Sequence, residues 1–379
     1  MNKEIFKEEH FIFRDAFCKF LDKEVVPHYE EWEEAGIVPR EMWRKFGENG
    51  YLCTWMPEEY GGLGAGFEYS VIIIHELNYR GISGIAAGLH SDIVVPYIYS
   101  YGTEEQKQKW LPGCVSGEII TAVAMTEPGV GSDLAAMRTT AVKDGDSYII
   151  NGQKTFISNG LLSDVVVLAV KTDTKAGHKG LSLICVEDGT PGFSRGRHLK
   201  KMGMYSQDTA ELIFEDCRVP AKNLLGEAGK GFYYLMAKLQ PERLVADIGA
   251  QAMAEAVLDM TIKYTKERQI FGKPVSSFQH NTFKIVEMAT DVELGRCLVD
   301  SMIKDLIAGV DISKKVSMGK YWITEMANRI AAQGVQLHGG YGYMEEYPIC
   351  RFYRDLRIHT IMAGTSEVMK VIVGKMLGL

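Results

Sequence analysis

The apolar pattern of this chain changes period twice, and that change is its strongest structural constraint. Residues 118–220 carry short runs of strand-forming residues. One run covers 119–125. Residues 142–150 read as strand, turn, strand. Asn151-Gly152 reads as a tight turn, with a further strand over 154–157. Runs over 165–170, 181–186 and 210–214 follow, each bounded by Gly, Asp or Pro. This is a compact all-β module of closely spaced strands.

Both flanks read as helical. On the N-terminal side, Phe11, Phe13, Ala16, Phe17 and Phe20 make a helix-spaced apolar stripe. A glycine-rich turn covers 60–66, and 70–78 and 93–101 read as buried helices. On the C-terminal side, 232–268 is rich in Ala, Met, Leu and Glu. Pro241 is expected to break that helix or start a new one. Long helices follow over 281–308 and 313–333, and a last one after Gly364-Thr365-Ser366. Short links between long helices predict an antiparallel bundle. The fold class is therefore α+β: an N-terminal helical domain over 1–117, a middle β-barrel-like domain over 118–225 and a C-terminal four-helix bundle over 226–379. A length of 379 residues accommodates that division. The strands do not alternate with helices, and no G-x-G-x-x-G follows the first strand, so a Rossmann domain fits poorly.

Composition narrows the partners. A net charge of −7 favours neither nucleic acid nor an anionic membrane. No apolar run reaches the roughly 18 residues of a membrane span. The start, MNKEIFKEEH, has neither the apolar core of a secretory signal nor the Arg/Ser bias of a transit peptide. The seven cysteines are scattered and form no C-x-x-C pair, which predicts reduced thiols in a cytoplasmic setting and no zinc site. The nine histidines include no H-E-x-x-H, so no metal is expected.

Several motifs have the residue types of a ligand site, and each also has an ordinary structural reading. Met125-Thr126-Glu127-Pro128-Gly129-Val130-Gly131-Ser132-Asp133 runs from a strand into a loop whose backbone N–H groups can approach a phosphate or a ring carbonyl. It also fits a glycine-rich β-turn. Lys154-Thr155-Phe156-Ile157-Ser158 offers an aromatic for stacking, or a strand end with one core Phe. Arg268, in Arg268-Gln269-Ile270-Phe271-Gly272-Lys273-Pro274, closes a helix and suits a pyrophosphate, or is an exposed helix-end charge. Gln336-Leu337-His338-Gly339-Gly340-Tyr341-Gly342 lets backbone come close to a ligand, and His338 alone reads as structural. Glu242, in Leu239-Gln240-Pro241-Glu242-Arg243-Leu244, is a general-base candidate or a helix-start acid complementing the dipole.

Together, in this order and spacing, these motifs resemble the acyl-CoA dehydrogenase family over essentially the whole chain. The resemblance implies FAD bound without a Rossmann fold, between the β module and the bundle and partly across a subunit interface. It implies that Met125, Thr126, Gly131 and Ser132 meet the flavin and the thioester end of the substrate. Phe156, Ile157 and Ser158 would flank the ring. Arg268, Phe271 and Gln279 would reach the FAD of a neighbouring subunit, with Arg268 on the pyrophosphate, and Gln336, Gly339 and Gly340 would contact the adenosine half of FAD. Thr365 and Glu367 would complete the site beside Gly364.

The chemistry needs a base at the α-carbon and a hydride acceptor for the β-carbon. Many family members carry the base immediately before the Gly-Thr pair, where this chain has Ala363. The long-chain and isovaleryl subgroups place it instead at the position of Glu242, which is therefore assigned as the base, with Arg243 near the thioester. Phe156 stands where many members have Trp. Asp92 either caps the following helix, as Ser91 also could, or contributes an acid at the acyl pocket. The resemblance further implies an acyl-CoA substrate, an electron-transferring flavoprotein as acceptor and a homotetramer. Competing readings are an alicyclic acyl-CoA dehydrogenase that uses Asp92, an oxidase using O₂, and a non-catalytic acyl-CoA or flavin scaffold.

Overall fold

The computed structural model describes residues 2–379. The N-terminal part is helical: α1 (Glu8–Phe20), α2 (Tyr29–Ala35), α3 (Arg40–Glu48), α4 (Phe67–Tyr79), α5 (Val95–Tyr101) and α6 (Glu104–Ser116). The α1 stripe forms through Phe11, Phe13, Phe17 and Phe20, with Phe17 fully buried in a core with Trp43, Phe46 and Leu52, whereas Ala16 is exposed. A capping box starts α6: Gln106 N–H donates to Thr103 Oγ1 at 3.3 Å, and Thr103 N–H donates to Gln106 Oε1 at 2.8 Å. Gly117 ends it at φ 77°, where a Cβ would stand 2.2 Å from the Trp43 carbonyl oxygen, so only glycine fits the passage into the sheet.

The middle part holds β1 (Thr121–Ala124), β2 (Thr140–Asp144), β3 (Ser147–Ser158), β4 (Val165–Lys171), β5 (Leu181–Glu187), β6 (Phe193–His198), β7 (Thr209–Pro220) and β8 (Leu224–Leu225). They form one sheet in the order β6-β7-β3-β2-β4-β5-β8, with β1 parallel to β4. Alternation in β4 sorts its two faces. Val166, Leu168 and Val170 share an interior with Ile150, Leu212 and Phe214 from β3 and β7, so the sheet curls on itself. Val165, Val167 and Ala169 point the other way, against Tyr97, Ile98, Trp110 and Leu111 of α5 and α6.

Two sequence expectations fail here. Asn151-Gly152 is no turn: β3 runs straight through it, with a register shift between Ile150 and Gly152. Asn151 is held by Asp216, whose N–H donates to its Oδ1 at 2.8 Å. Gly152 lies at φ 151°, and a Cβ there would be 2.8 Å from the Thr139 backbone. The pair therefore makes a β-bulge. Strand β6 was also not anticipated, because its polar run FSRGRH has no buried face: every residue of Phe193–His198 is half-buried or exposed.

The C-terminal part comprises α7 (Gly231–Glu267), α8 (Gln279–Ile307), α9 (Ser313–His338), α10 (Pro348–Leu356) and α11 (Ser366–Met376). Pro241 neither breaks nor starts a helix; α7 passes through it as one element of 37 residues. Proline withholds a hydrogen bond from the carbonyl four residues earlier and costs about 3 kcal/mol in a helix interior. Packing on both sides offsets this. Leu235 before it belongs to the core shared with the sheet, whereas Leu244, Ile248 and Met253 after it belong to the bundle core. After α7, Gln269–Ile270 (β9) and Lys273–Pro274 (β10) pair as a small hairpin. Its turn, Phe271 at φ 50° and Gly272 at φ 76°, is left-handed at both positions, as a type I′ hairpin turn requires. The sequence had suggested only a helix stop, and α10 had not been foreseen.

Buried charges join the flanking domains. Glu76 of α4 accepts from Arg14 at 2.6 Å and Arg80 at 2.5 Å. His75 bridges Glu76 and Glu255 of α7, at 3.1 Å on each ring nitrogen.

Candidate active site

Glu242 lies well inside α7, not at a helix start, so it does not complement an N-terminal dipole. Its side chain is 3% exposed. Burial pushes its carboxyl up to about 7 from a usual value near 4.5, against the opposing pull of Tyr97, Arg243 and Lys238. The Tyr97 hydroxyl of α5 donates to Oε1 at 2.5 Å. Such a group can take a proton near neutral pH.

A buried charged path leads from there to the C-terminal loop. Arg243 donates to Ser317 Oγ at 3.3 Å. Asp247, one turn on, is fully buried between Arg243 and Lys320, and neither carboxyl oxygen accepts a hydrogen bond among the described residues. Burial pushes that carboxyl well up. Lys320 of α9 is fully buried too and drawn down to about 8 by burial. It donates to the carbonyls of His359 at 2.6 Å and Gly364 at 3.1 Å. Lys320 thus fixes the loop on which Ala363 and Gly364 lie left-handed, at φ 54° and 97°.

At the end of β1, Glu127 organises the glycine-rich loop. It accepts from the N–H groups of Arg138 at 2.7 Å and Thr139 at 2.9 Å, and from Lys154 Nζ at 2.9 Å. Lys154, fully buried, also donates to the Met125 carbonyl at 3.0 Å, and Thr155 N–H donates to the Thr126 carbonyl at 2.9 Å. Met125 and Thr126 therefore sit beside the strand carrying Phe156, Ile157 and Ser158. Phe156 is left-handed (φ 60°) and 68% exposed, a free aromatic face. Ile157 points into the sheet interior, and its carbonyl accepts from Gly160 N–H at 3.2 Å, so its side chain does not face a ligand. Gly131 and Ser132 are exposed in the open loop.

A third region is a cleft of about 710 Å³ lined by Tyr264, Arg268, Gln336, Gly339, Gly340 and Tyr341, among others. The Arg268 guanidinium lies 5.4 Å from the Tyr341 ring centroid and has no acidic partner among the described residues. A Cβ at Gly339 or Gly340 would meet no atom within 4 Å, so backbone there is open to a ligand. His338 is structural: its Nδ1 bonds the Gly334 carbonyl at 2.7 Å, and its ring stacks on Tyr264 at 4.2 Å. A free cation beside open glycine backbone suits the pyrophosphate of a dinucleotide. Phe271 and Gln279 stand exposed outside this cleft, and Thr365 caps α11 through Val368 N–H at 3.3 Å, with Glu367 in its first turn.

Asp92 corrects the capping expectation. It lies within a π-helical turn, Leu89–Val94, whose cap position is Gly88. Ser91 does not cap either; its hydroxyl accepts Cys53 N–H at 2.9 Å. Asp92 is 8% exposed and pushed up to about 7 by burial, with nearby Ser70 opposing the shift. It is not among the groups that act on Glu242.

Sequence reasoning missed Tyr97, Asp247, Lys154 and Lys320. Lys320 left a signal: it sits in a run of small or apolar residues, where a charge must find a buried partner, whereas Lys154 stands between Gln153 and Thr155 and left none. Tyr97 left none, since an aromatic in an apolar helix reads as core.

The three-part fold, the glycine-lined cleft beside a free cation and the buried carboxyl are parts that suit an enzyme holding a dinucleotide and moving a proton. Comparison with known proteins carries this further. Family models for the acyl-CoA dehydrogenase N-terminal, middle and C-terminal domains match residues 7–118, 122–217 and 229–378. The mitochondrial long-chain specific acyl-CoA dehydrogenase of Sus scrofa is 46% identical over 375 residues, covering 98% of this chain and 87% of that protein. The crystal structure of an acyl-CoA dehydrogenase from Geobacillus kaustophilus shares 61% identity at a TM-score of 0.98, with 99% of each chain covered. A chain in the structure described as the electron transferring flavoprotein of Acidaminococcus fermentans shares 38% identity at a TM-score of 0.94, with 98% of each chain covered. The chain belongs to the acyl-CoA dehydrogenase family, a family of flavoenzymes.

Proposed function

We propose that this protein desaturates an acyl-CoA at the bond next to the thioester, with Glu242 as the base. The observation that carries the reading is a buried carboxyl held near neutrality at position 242 in a chain with Ala363 before Gly364. FAD, when bound, supplies the acceptor for the β-hydride. The loop from Met125 to Ser132, the Phe156 face and the Arg268–Gly340 cleft are the surfaces that suit it. Glu242 removes the α-proton as the carboxylate. Burial strengthens it as a base, and Arg243 beside it keeps positive charge near the developing enolate. The product is a 2-enoyl-CoA.

The exposed Phe271 and Gln279 beside the cleft support sharing of the cofactor across a subunit interface, in a homotetramer. An electron-transferring flavoprotein is the proposed acceptor. No helix of the described residues is long and apolar enough to cross a membrane. All seven cysteines are unpaired, which supports a reducing, cytoplasmic compartment.

The test is Glu242→Gln. The variant is expected to retain FAD yet lose α-proton exchange and substrate bleaching of the flavin. Bleaching at the wild-type rate overturns the assignment. An anaerobic panel of straight, branched, cyclic and dicarboxylic acyl-CoAs then identifies the acyl group. The alicyclic reading has one observation on its side, the burial and raised pKa of Asp92; bleaching by ring thioesters alone would favour it.

A further inference from the structure

We infer that Tyr97 is the positioning residue of the base, holding one oxygen of Glu242 so that the other faces the α-proton. This rests on the proposed role of Glu242. The two residues come from different domains, 145 positions apart, yet the phenol reaches Oε1 at 2.5 Å with both side chains buried. Oε2 accepts no hydrogen bond from any described residue, and it is not among the enclosed, unpartnered atoms. One oxygen is anchored and the other borders open space. Such a carboxylate cannot rotate freely about its terminal torsion, which in glutamate is otherwise broad and two-fold.

The direction of the bond follows from the groups around it. Burial beside Glu242 holds the phenol's own ionisation well above its usual value, so Tyr97 keeps its proton and donates at any working pH. A separation of 2.5 Å is typical of a hydroxyl donating to a charged carboxylate. The other charged groups acting on Glu242 are Lys238 and Arg243, both on α7. Lys238 is turned aside: it donates to Ser100 Oγ at 2.6 Å and lies over the Tyr101 ring. Arg243 is engaged with Ser317. Tyr97 is therefore the group that fixes the carboxylate's orientation, and it does so from α5. In the proton transfer, the α C–H bond breaks, its electron pair stays on the α-carbon, and the proton joins Oε2. The phenol remains on Oε1 throughout.

The experiment uses the FAD-loaded enzyme with an acyl-CoA that bleaches it. Tyr97→Phe removes the donor and keeps the ring. Loss of the bond disfavours the carboxylate, so the acid limb of the kcat/KM profile should move up by about one pH unit. On its high-pH plateau, α-proton exchange should fall about tenfold from misorientation alone, with FAD content and Tm unchanged. An unchanged profile and exchange rate in this variant would overturn the inference. Should Tyr97→Phe lose FAD, Tyr97→3-fluorotyrosine keeps size and donor but strengthens the bond. Its acid limb should then move to lower pH, and no movement is equally fatal. If Glu242→Gln itself retains exchange, the base assignment fails; if it loses exchange while the Tyr97 variants behave as wild type, only the present inference does.

Discussion

Burying an acid with little to pair it costs stability, and Glu242 and Asp92 are among the residues that incur that cost, as is Asp247. Glu242 and Asp92 are each held near 7 by burial. Between the usual value, 4.5 for Glu242 and 3.8 for Asp92, and about 7, the folded form retains a proton that the unfolded chain has released. Folding stability therefore falls as pH rises through that window, and the loss is complete above it. For a shift of this size the cost is of order 3 kcal/mol per group. Glu242→Gln and Asp92→Asn should both raise the Tm at pH 8 and change it little at pH 5, read by calorimetry in parallel buffers. They should part company in function: Glu242→Gln loses α-proton exchange, whereas Asp92→Asn keeps it if that acid lines the pocket without acting in proton removal. A Tm at pH 8 that drops in either variant would show the acid to be a needed structural partner.

At the scale of elements, the ends of β1 and β3 are locked by one buried ion pair. Glu127 and Lys154 are both nearly inaccessible, and between them they hold the Arg138 and Thr139 amides and the Met125 carbonyl. Removing one partner leaves the other charged and unpaired, which typically costs 3–5 kcal/mol, whereas neutralising both costs far less. Lys154→Met should accordingly lower the Tm and release FAD on gel filtration, and Glu127→Gln combined with Lys154→Met should recover much of the Tm. Retained FAD in Lys154→Met would separate the pair from the cofactor loop. Elements like these also mark how far the sequence could be read. The helix-sheet-helix order and the long helices were legible because periodicity is a local property. The bulge at Asn151-Gly152 was not, since the same dipeptide makes a hairpin turn unless a distant strand, here the one bearing Asp216, takes up the asparagine. The uninterrupted α7 was hidden for a similar reason: Pro241 is a breaker locally, and the two cores that override it are assembled from residues far apart in sequence. Candidate site residues were legible where glycine or charge stood out. Tyr97 was not, because its role depends on a carboxylate brought to it from another domain.

The whole molecule leaves large apolar side chains exposed on one face of the bundle, interspersed with Glu287 and Thr290. On α8, Phe283, Val286 and Leu294 are each more than half exposed, at spacings that put them on one side of the helix. The same helix lends His280, Asn281 and Lys284 to the cleft that holds Arg268 and Gly340. Phe271, 92% exposed, projects from the neighbouring hairpin. Apolar exposure of this kind marks an interaction surface. In the proposed homotetramer, a second copy seated here would cover the cleft and bring its own Phe271 and Gln279 to the cofactor, so that cofactor retention would depend on assembly. The joint variant Phe283→Glu with Leu294→Glu puts two charges into that contact and leaves every proposed catalytic group in place. Sedimentation should show a smaller species than wild type, and the flavin absorbance should elute apart from the protein. Added FAD in excess should restore bleaching in part, because the base and its pocket lie within one chain. An FAD-replete variant of unchanged mass would mean that the face has another use and that each subunit holds its cofactor alone.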